Sequence, residues 1–225
     1  DIIKRFGQLV RNSENMCNCN KVTLKWLSGK DNGMYDAVNK GFSVATGNVY
    51  AWINSDDIYL PGAFNAVVKV FKEHPEVKWL KGITSYITES SAIYEAGRCF
   101  LYDQKWIRKG IYGVDAYFIQ QDSVFWQAEL WKSAGEIDSS LRLAGDYYLW
   151  RKFAEKTVLF TLKAYLSCFR NTEGQLSNYL AAYRRECAKI AGNSGSINKR
   201  IRFYFNNEII IPTSIRHLIY ILFFG

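Results

Sequence analysis

The chain has 225 residues, 48% of them hydrophobic, 16% aromatic and only three proline. That is enough to bury one sizeable core, with room for a C-terminal appendage. Five cysteines in an irregular, odd-numbered set (Cys17, Cys19, Cys99, Cys168, Cys187) exclude a disulfide framework, and His74 and His217 lack the spacing for structural zinc. The net charge is +8, of which +5 falls from Arg184 onward.

In chain order, residues 1–10 read as the later part of a helix with no secretory pattern before it, so a truncated start is expected. Residues 22–27 alternate as a strand, and 28–33 form a loop by composition. A helix follows over 34–45, carrying Tyr35, Val38, Phe42 and Ala45 on one side. After Thr46-Gly47-Asn48, residues 49–53 form the most apolar run of the chain, expected to be a strand buried on both faces. Pro61 suits the first position of a helix, which would put the cap at Leu60. Phe64, Val67, Val68 and Phe71 would then form the apolar face. Helix, strand, helix, strand, helix is the alternation of an α/β chain with a mostly parallel sheet.

Beyond Pro75 the spacing predicts short strands at 77–80 and 84–88, and an aromatic stretch at 90–120 with no clear period. Helices are expected at 127–134, at 146–156 with Leu149, Trp150 and Phe153 inward, and at 177–190. Two strands are expected between them, at 158–162 and 165–169. Residues 193–196 read as a linker. The domain plan is therefore 1–192, followed by a basic, apolar extension over 193–225. Its last stretch, 209–224, is too short and too charged to span a bilayer. It is either a helix completing the core or a surface segment lying on an anionic membrane. A basic tail also fits nucleic acid, but no nucleic-acid motif accompanies it, and no nucleic-acid partner is expected.

Asp56 and Asp57 end the apolar run as adjacent like charges. A solvated turn is one reading. A divalent cation is the other, since hard cations take carboxylate oxygens and tolerate the doubled charge. Upstream, Asp36, Asn39 and Lys40 share a helix face. Asp31 reads equally as that helix's cap, and Asp36–Lys40 as a surface pair worth ~0.3–0.5 kcal/mol. Asp146 opens a helix and projects toward its buried face. It reads as a cap or as a carboxylate of raised pKa against an aromatic wall, suited to general-base work.

The run DNGMYDAVNKGFSVATGNVYAWINSDDIYLPGA (31–63) resembles the nucleotide-sugar half of glycosyltransferase family 2 enzymes with the GT-A fold. GEIDSSLRLAGDYYLWRKFA (135–154) resembles that family's segment ending in its general base, and FRNTEGQLS (169–177) its loop near the donor diphosphate. The resemblance implies an α/β, Rossmann-like GT-A domain lacking the family's first βαβ segment. It also implies an inverting, metal-dependent transfer from a nucleoside-diphosphate sugar to a glycan or lipid-linked acceptor in bacterial surface-polysaccharide synthesis. Asp57 would hold Mg²⁺ or Mn²⁺, and Asp56 would contact ribose or a metal-bound water. Asp31, Asp36 and Asn39 would shape the donor pocket, Arg170 and Gln175 would close over the phosphates, and Asp146 would be the base. Gln121 and Asp122 fall where the family often lines the acceptor side, though a surface turn serves equally well. The location implied is cytoplasmic, with the tail at the inner membrane face. The segment missing at the start raises an alternative, an inactive transferase that only binds sugar or nucleotide. The loop at 171–177 also lacks the His that some relatives carry.

Overall fold

The computed structural model describes residues 2–12, 23–114, 116–175 and 179–192. The chain divides into two units, Asp1–Asn32 and Gly33–Gly225. In the first, helix α1 (Ile2–Asn12) bears out the helical reading of the start, with Ile2 and Ile3 exposed. The strand expected at 22–27 does not form over 23–27, where Leu24, Trp26 and Leu27 are exposed. Alternating side chains do not make a strand without a neighbouring strand to pair with.

The second unit is built on a six-stranded sheet. Its elements, in order, are α2 (Met34–Ser43), β1 (Val49–Tyr50), β2 (Ile58–Tyr59), α3 (Ala63–Glu73), β3 (Trp79–Ile87) and β4 (Ile93–Glu95). These are followed by α4 (Gln104–Arg108), a 3₁₀ turn (Gln121–Ser123), β5 (Val124–Gln127), α5 (Ala128–Ala134), α6 (Gly145–Lys156), β6 (Phe160–Arg170) and α7 (Leu180–Ala191). The strands lie in the order β1-β5-β3-β6-β2, with β4 beside the far end of β3. The α/β class stands, but the sheet is mixed rather than mostly parallel. Among the described strands only β3 and β6 run parallel, and the other pairs are antiparallel.

The buried central strand is β3, not the run at 49–53. Only Val49 and Tyr50 of that run pair, at the sheet edge against β5. β3 is one continuous strand where two were expected, and so is β6. β3 hides its centrality by carrying polar residues in the interior. Lys81, Thr84 and Ser85 are all buried. Lys81 Nζ donates to Gly82 O (2.8 Å) and Ser123 Oγ (3.1 Å), while Thr84 Oγ1 donates to Ser123 Oγ (2.9 Å). Such bonds offset the cost of desolvation. Burial still pulls the Lys81 ammonium down to about 8.

The helix after Pro61 starts later than expected. Gly62 has φ 84° and ψ −7°, and Ala63 N–H donates to Leu60 O at 3.1 Å. That is a type II turn with Pro and Gly in their preferred places, so Pro61 lies in the turn and α3 begins at Ala63. Its buried face also differs from the expected one: Ala63 and Val67 are buried, while Phe64 and Val68 are exposed.

The larger core lies between the sheet and α2, α5 and α6. Leu149, Trp150 and Phe153 of α6 face inward as their spacing predicts. Trp150 stacks on Trp79 with centroids 5.7 Å apart and on Trp52 at 5.9 Å. Burial of side chains this size contributes about 2–3 kcal/mol each. Gly145 lets α6 approach α2, since a Cβ there would stand 2.5 Å from the Tyr35 ring. Gly145→Ala should therefore lower stability by about 1–3 kcal/mol. Gly41→Ala, in α2 with nothing within 4 Å, should raise it by roughly 0.5–1 kcal/mol. Chemical denaturation of both variants checks the contrast.

Candidate functional site

The segment after β1 folds into a tight turn, with Asp57 N–H donating to Asn54 O at 3.2 Å. The turn sends its two carboxylates in different directions. Asp57 is 7% exposed, accepting the Arg170 N–H on Oδ1 (2.9 Å) and the Asn54 amide on Oδ2 (3.2 Å). Burial, with help from Asp122 and Asp56, pushes its carboxyl up to about 7 against the pull of the Arg170 amide. Asp56 lines the open cleft, where its Oδ2 accepts the Gln175 amide at 2.6 Å.

Arg170 ends β6 and ties this region together. Its Nε donates to Asp56 O at 2.7 Å, and its Nη1 to Thr88 O, Glu89 O and Ser91 Oγ, each at 2.9 Å. The guanidinium is thus a staple between the aspartate turn and the turn after β3, through three carbonyls and one hydroxyl. Gln175 also donates to Arg170 O at 2.6 Å and accepts the Thr172 N–H at 3.2 Å, so it latches its own loop onto Asp56.

The cleft has a volume of about 610 Å³, within the usual range for a small-molecule site. Trp52, Asn54, Ser55 and Asp56 line it together with Gln121, Asp122, Asp146 and Gln175. Asp146, in the first turn of α6, meets the Tyr183 hydroxyl at 3.3 Å from Oδ1. Burial raises its carboxyl to about 6; bonds from the Tyr147 amide and Tyr183 lower it, and the nearby Glu186 charge raises it. Ala144, not Gly145 or Asp146, is the N-cap residue of α6, and no side chain of its own caps it.

The expected donor-pocket residues of α2 do not line the cleft. Asp36 pairs with Lys40 at 2.8 Å in the surface i, i+4 manner, and neither is a lining residue of the cleft. Asn39 is buried and clamps the Ile137 backbone, donating to its carbonyl at 2.7 Å and accepting its N–H at 3.1 Å. Asp31 belongs to the first unit, as an exposed loop residue. Gln121 and Asp122 are not a surface turn. Asp122 is 2% exposed in the cleft floor, bonded by the Ser167 hydroxyl, and burial raises its carboxyl. Gln121 donates its side-chain amide to Trp52 O. Ser177 and the tail from 193 onward, with its proposed membrane contact, lie outside the described residues. Among the described residues no helix is long and apolar enough to cross a membrane.

The described residues gather no group of three or more His, Cys, Asp or Glu able to hold a metal. These residues therefore form no dedicated cage, but a cation of the Mg²⁺ kind binds one or two carboxylates together with substrate phosphates. Asp56, on the cleft beside Asn54 and Ser55, fits this role. Asp57 is 7% exposed and does not line the cleft, and each of its oxygens accepts one hydrogen bond.

The model of Glycosyl transferase family 2 matches residues 6–127. The chain belongs to that family. The match ends at Gln127, so Asp146, Arg170 and Gln175 lie beyond it. No curated protein matches the chain. Among solved structures, it is similar to TarS of S. aureus. TarS 1–349 in complex with UDP-GlcNAc has TM-score 0.53 and 14% identity, over 90% of this chain and 58% of that one. A second TarS 1–349 structure has TM-score 0.50 and 14% identity, with 90% and 57% covered. A third, of TarS, has TM-score 0.52 and 13% identity over 90% of this chain and 34% of that one. At this identity the likeness shows the GT-A fold alone, and the chain spans little more than half of the TarS 1–349 chains.

Arg170 as staple and Arg170 as phosphate arm differ in one measurable respect. Arg170→Lys keeps the charge but loses the fork. It should destabilise the protein by about 2–3 kcal/mol with no donor present. Thermal melts of the ligand-free variant check this.

Proposed function

We propose that this family 2 chain transfers a sugar from a nucleoside diphosphate to an acceptor hydroxyl, with inversion at the anomeric carbon. One observation carries the reading: Asp56 and Asp146, two carboxylates of different character, line a single cleft of about 610 Å³. Asp146, raised to about 6 by burial, is matched to accept a proton near neutral pH. Asp56 borders the part of the cleft where the aspartate turn meets the Gln175 loop. The complex of TarS with UDP-GlcNAc makes a nucleoside-diphosphate sugar the natural donor class to test here.

In this reading the donor diphosphate lies toward Asp56 and Gln175, and the acceptor hydroxyl toward Asp146. The hydroxyl oxygen attacks the anomeric carbon as its proton passes to the Asp146 carboxylate. The bond from that carbon to the phosphate oxygen breaks, and its electron pair leaves with the nucleoside diphosphate. A single displacement inverts the configuration. Asp56, with Asn54 and Ser55 beside it, would hold Mg²⁺ or Mn²⁺. Such a cation, when bound, supplies charge neutralisation for the departing diphosphate. Asp57 is then a structural carboxylate that fixes the turn presenting Asp56. The aromatic wall, with Trp52 and Phe118, offers the flat apolar surface that a sugar face needs. A glycan or lipid-linked acceptor of surface-polysaccharide type remains the acceptor proposed.

Release of nucleoside diphosphate from a panel of nucleotide sugars, with Mn²⁺ and a mixed glycan acceptor, tests the reading. Asp146→Asn should keep donor affinity and lose about 10²–10⁴-fold in turnover; retained turnover sinks the base assignment. Turnover should rise with pH through about 6, because the base works ionised and its proton leaves there. Asp56→Asn should weaken the dependence on Mn²⁺ more than Asp57→Asn does, as read from metal titrations of donor binding. Binding of donor by Asp146→Asn and wild type alike, with no release by either, would support the alternative of a binding module.

A further inference from the structure

Helix α7 brings a carboxylate and a phenol to the start of α6. Glu186 Oε2 accepts the Leu143 N–H at 2.7 Å and the Ala144 N–H at 2.6 Å, and Oε1 accepts the Arg142 N–H at 3.0 Å. The amides at a helix start have no partner within the helix. α6 has no side-chain cap of its own, so a residue more than forty positions later caps the segment that launches it. The negative charge also lies at the positive end of the α6 dipole. One turn earlier on α7, the Tyr183 hydroxyl reaches both Asp146 oxygens, at 3.3 and 3.5 Å. Arg151 of α6 closes the contact by donating to Ile190 O of α7.

We propose that α7 is a positioning element for the base: Glu186 fixes the segment that launches α6, and Tyr183 fixes the Asp146 carboxylate itself. The proposal rests on the reading of Asp146 as the base, and it assigns roles to two residues outside the family's matched span. The two act on Asp146 in opposite senses. A neighbouring negative charge favours the protonated acid, whereas a hydrogen bond donated to the carboxylate favours the ionised form. The other titratable groups near Asp146 are Tyr35 from α2 and Cys187 from α7. Burial pushes both upward, so they stay neutral through the range in which Asp146 titrates. That leaves Glu186 as the charged neighbour and Tyr183 as the side-chain donor that set the carboxylate's balance.

The test is the titration of the Asp146 carboxyl carbon by NMR, its resonance identified as the one absent from Asp146→Asn. Glu186→Gln removes the charge and should move the midpoint down. Tyr183→Phe removes only the hydroxyl and should move it up. The acid limb of turnover should shift with each midpoint, and kcat should fall roughly three- to tenfold with donor KM unchanged. Purely structural roles would leave the midpoint where it is. An unmoved midpoint in folded Tyr183→Phe, or midpoints moving the same way in both variants, overturns the proposal. Because the NMR titration needs no turnover, it is read separately from the base assignment, which Asp146→Asn turnover decides.

Discussion

The parallel pairing of β3 with β6 is the constraint on which the site depends. It runs from Leu80 against Phe160 to Ile87 against Arg170, so the two long strands end side by side. A parallel pair brings the carboxyl ends of its strands to one edge, which is where an open α/β sheet places its ligand crevice. Here that edge delivers Arg170 between the aspartate turn and the turn after β3. Asn171 N–H adds a bond to Ile87 O at 2.9 Å. The β3 side chains facing the 3₁₀ turn then lock that turn beneath the cleft through Ser123.

Charge is distributed through this arrangement by function. Asp57 and Asp122 are enclosed and bonded, which costs desolvation but fixes loops that hydrophobic packing alone would leave loose. Asp56 and Asp146 keep access to the cleft. The two adjacent carboxylates occupy different environments, Asp57 buried in the turn and Asp56 on the cleft. One aspartate shapes the turn, and its neighbour faces the space that a ligand would enter.

Parts of this were legible in the sequence because a simple period or residue type governed them. The spacing of Leu149, Trp150 and Phe153 after Asp146 gave α6, its buried face and the carboxylate at its mouth. Asp56 and Asp57 announced a turn beside a cleft. Other parts were hidden for physical reasons. Lys81, Thr84 and Ser85 made a central strand look interrupted, because Ser123, which bonds Lys81 and Thr84, lies 42 and 39 residues away from them. Pro61 was read as a helix start when the Gly after it made a turn. Glu186 lies in a basic stretch, and nothing nearby in sequence shows that it holds the backbone of Arg142, Leu143 and Ala144 ahead of α6. That the Arg170 guanidinium bonds Thr88, Glu89 and Ser91 across the sheet edge was also hidden, since a sequence does not show which distant acceptors meet a side chain.

The indoles have a consequence of their own. Trp52 on the cleft wall stacks on Trp150, which touches Trp79 and Trp126 in the core. Excitation absorbed anywhere in this chain of rings can migrate to its neighbours, so the solvent-facing member samples light gathered by the buried ones. A sugar that displaces water from Trp52 would change the emission of the whole group, giving the protein a built-in optical gauge of whether its cleft is filled.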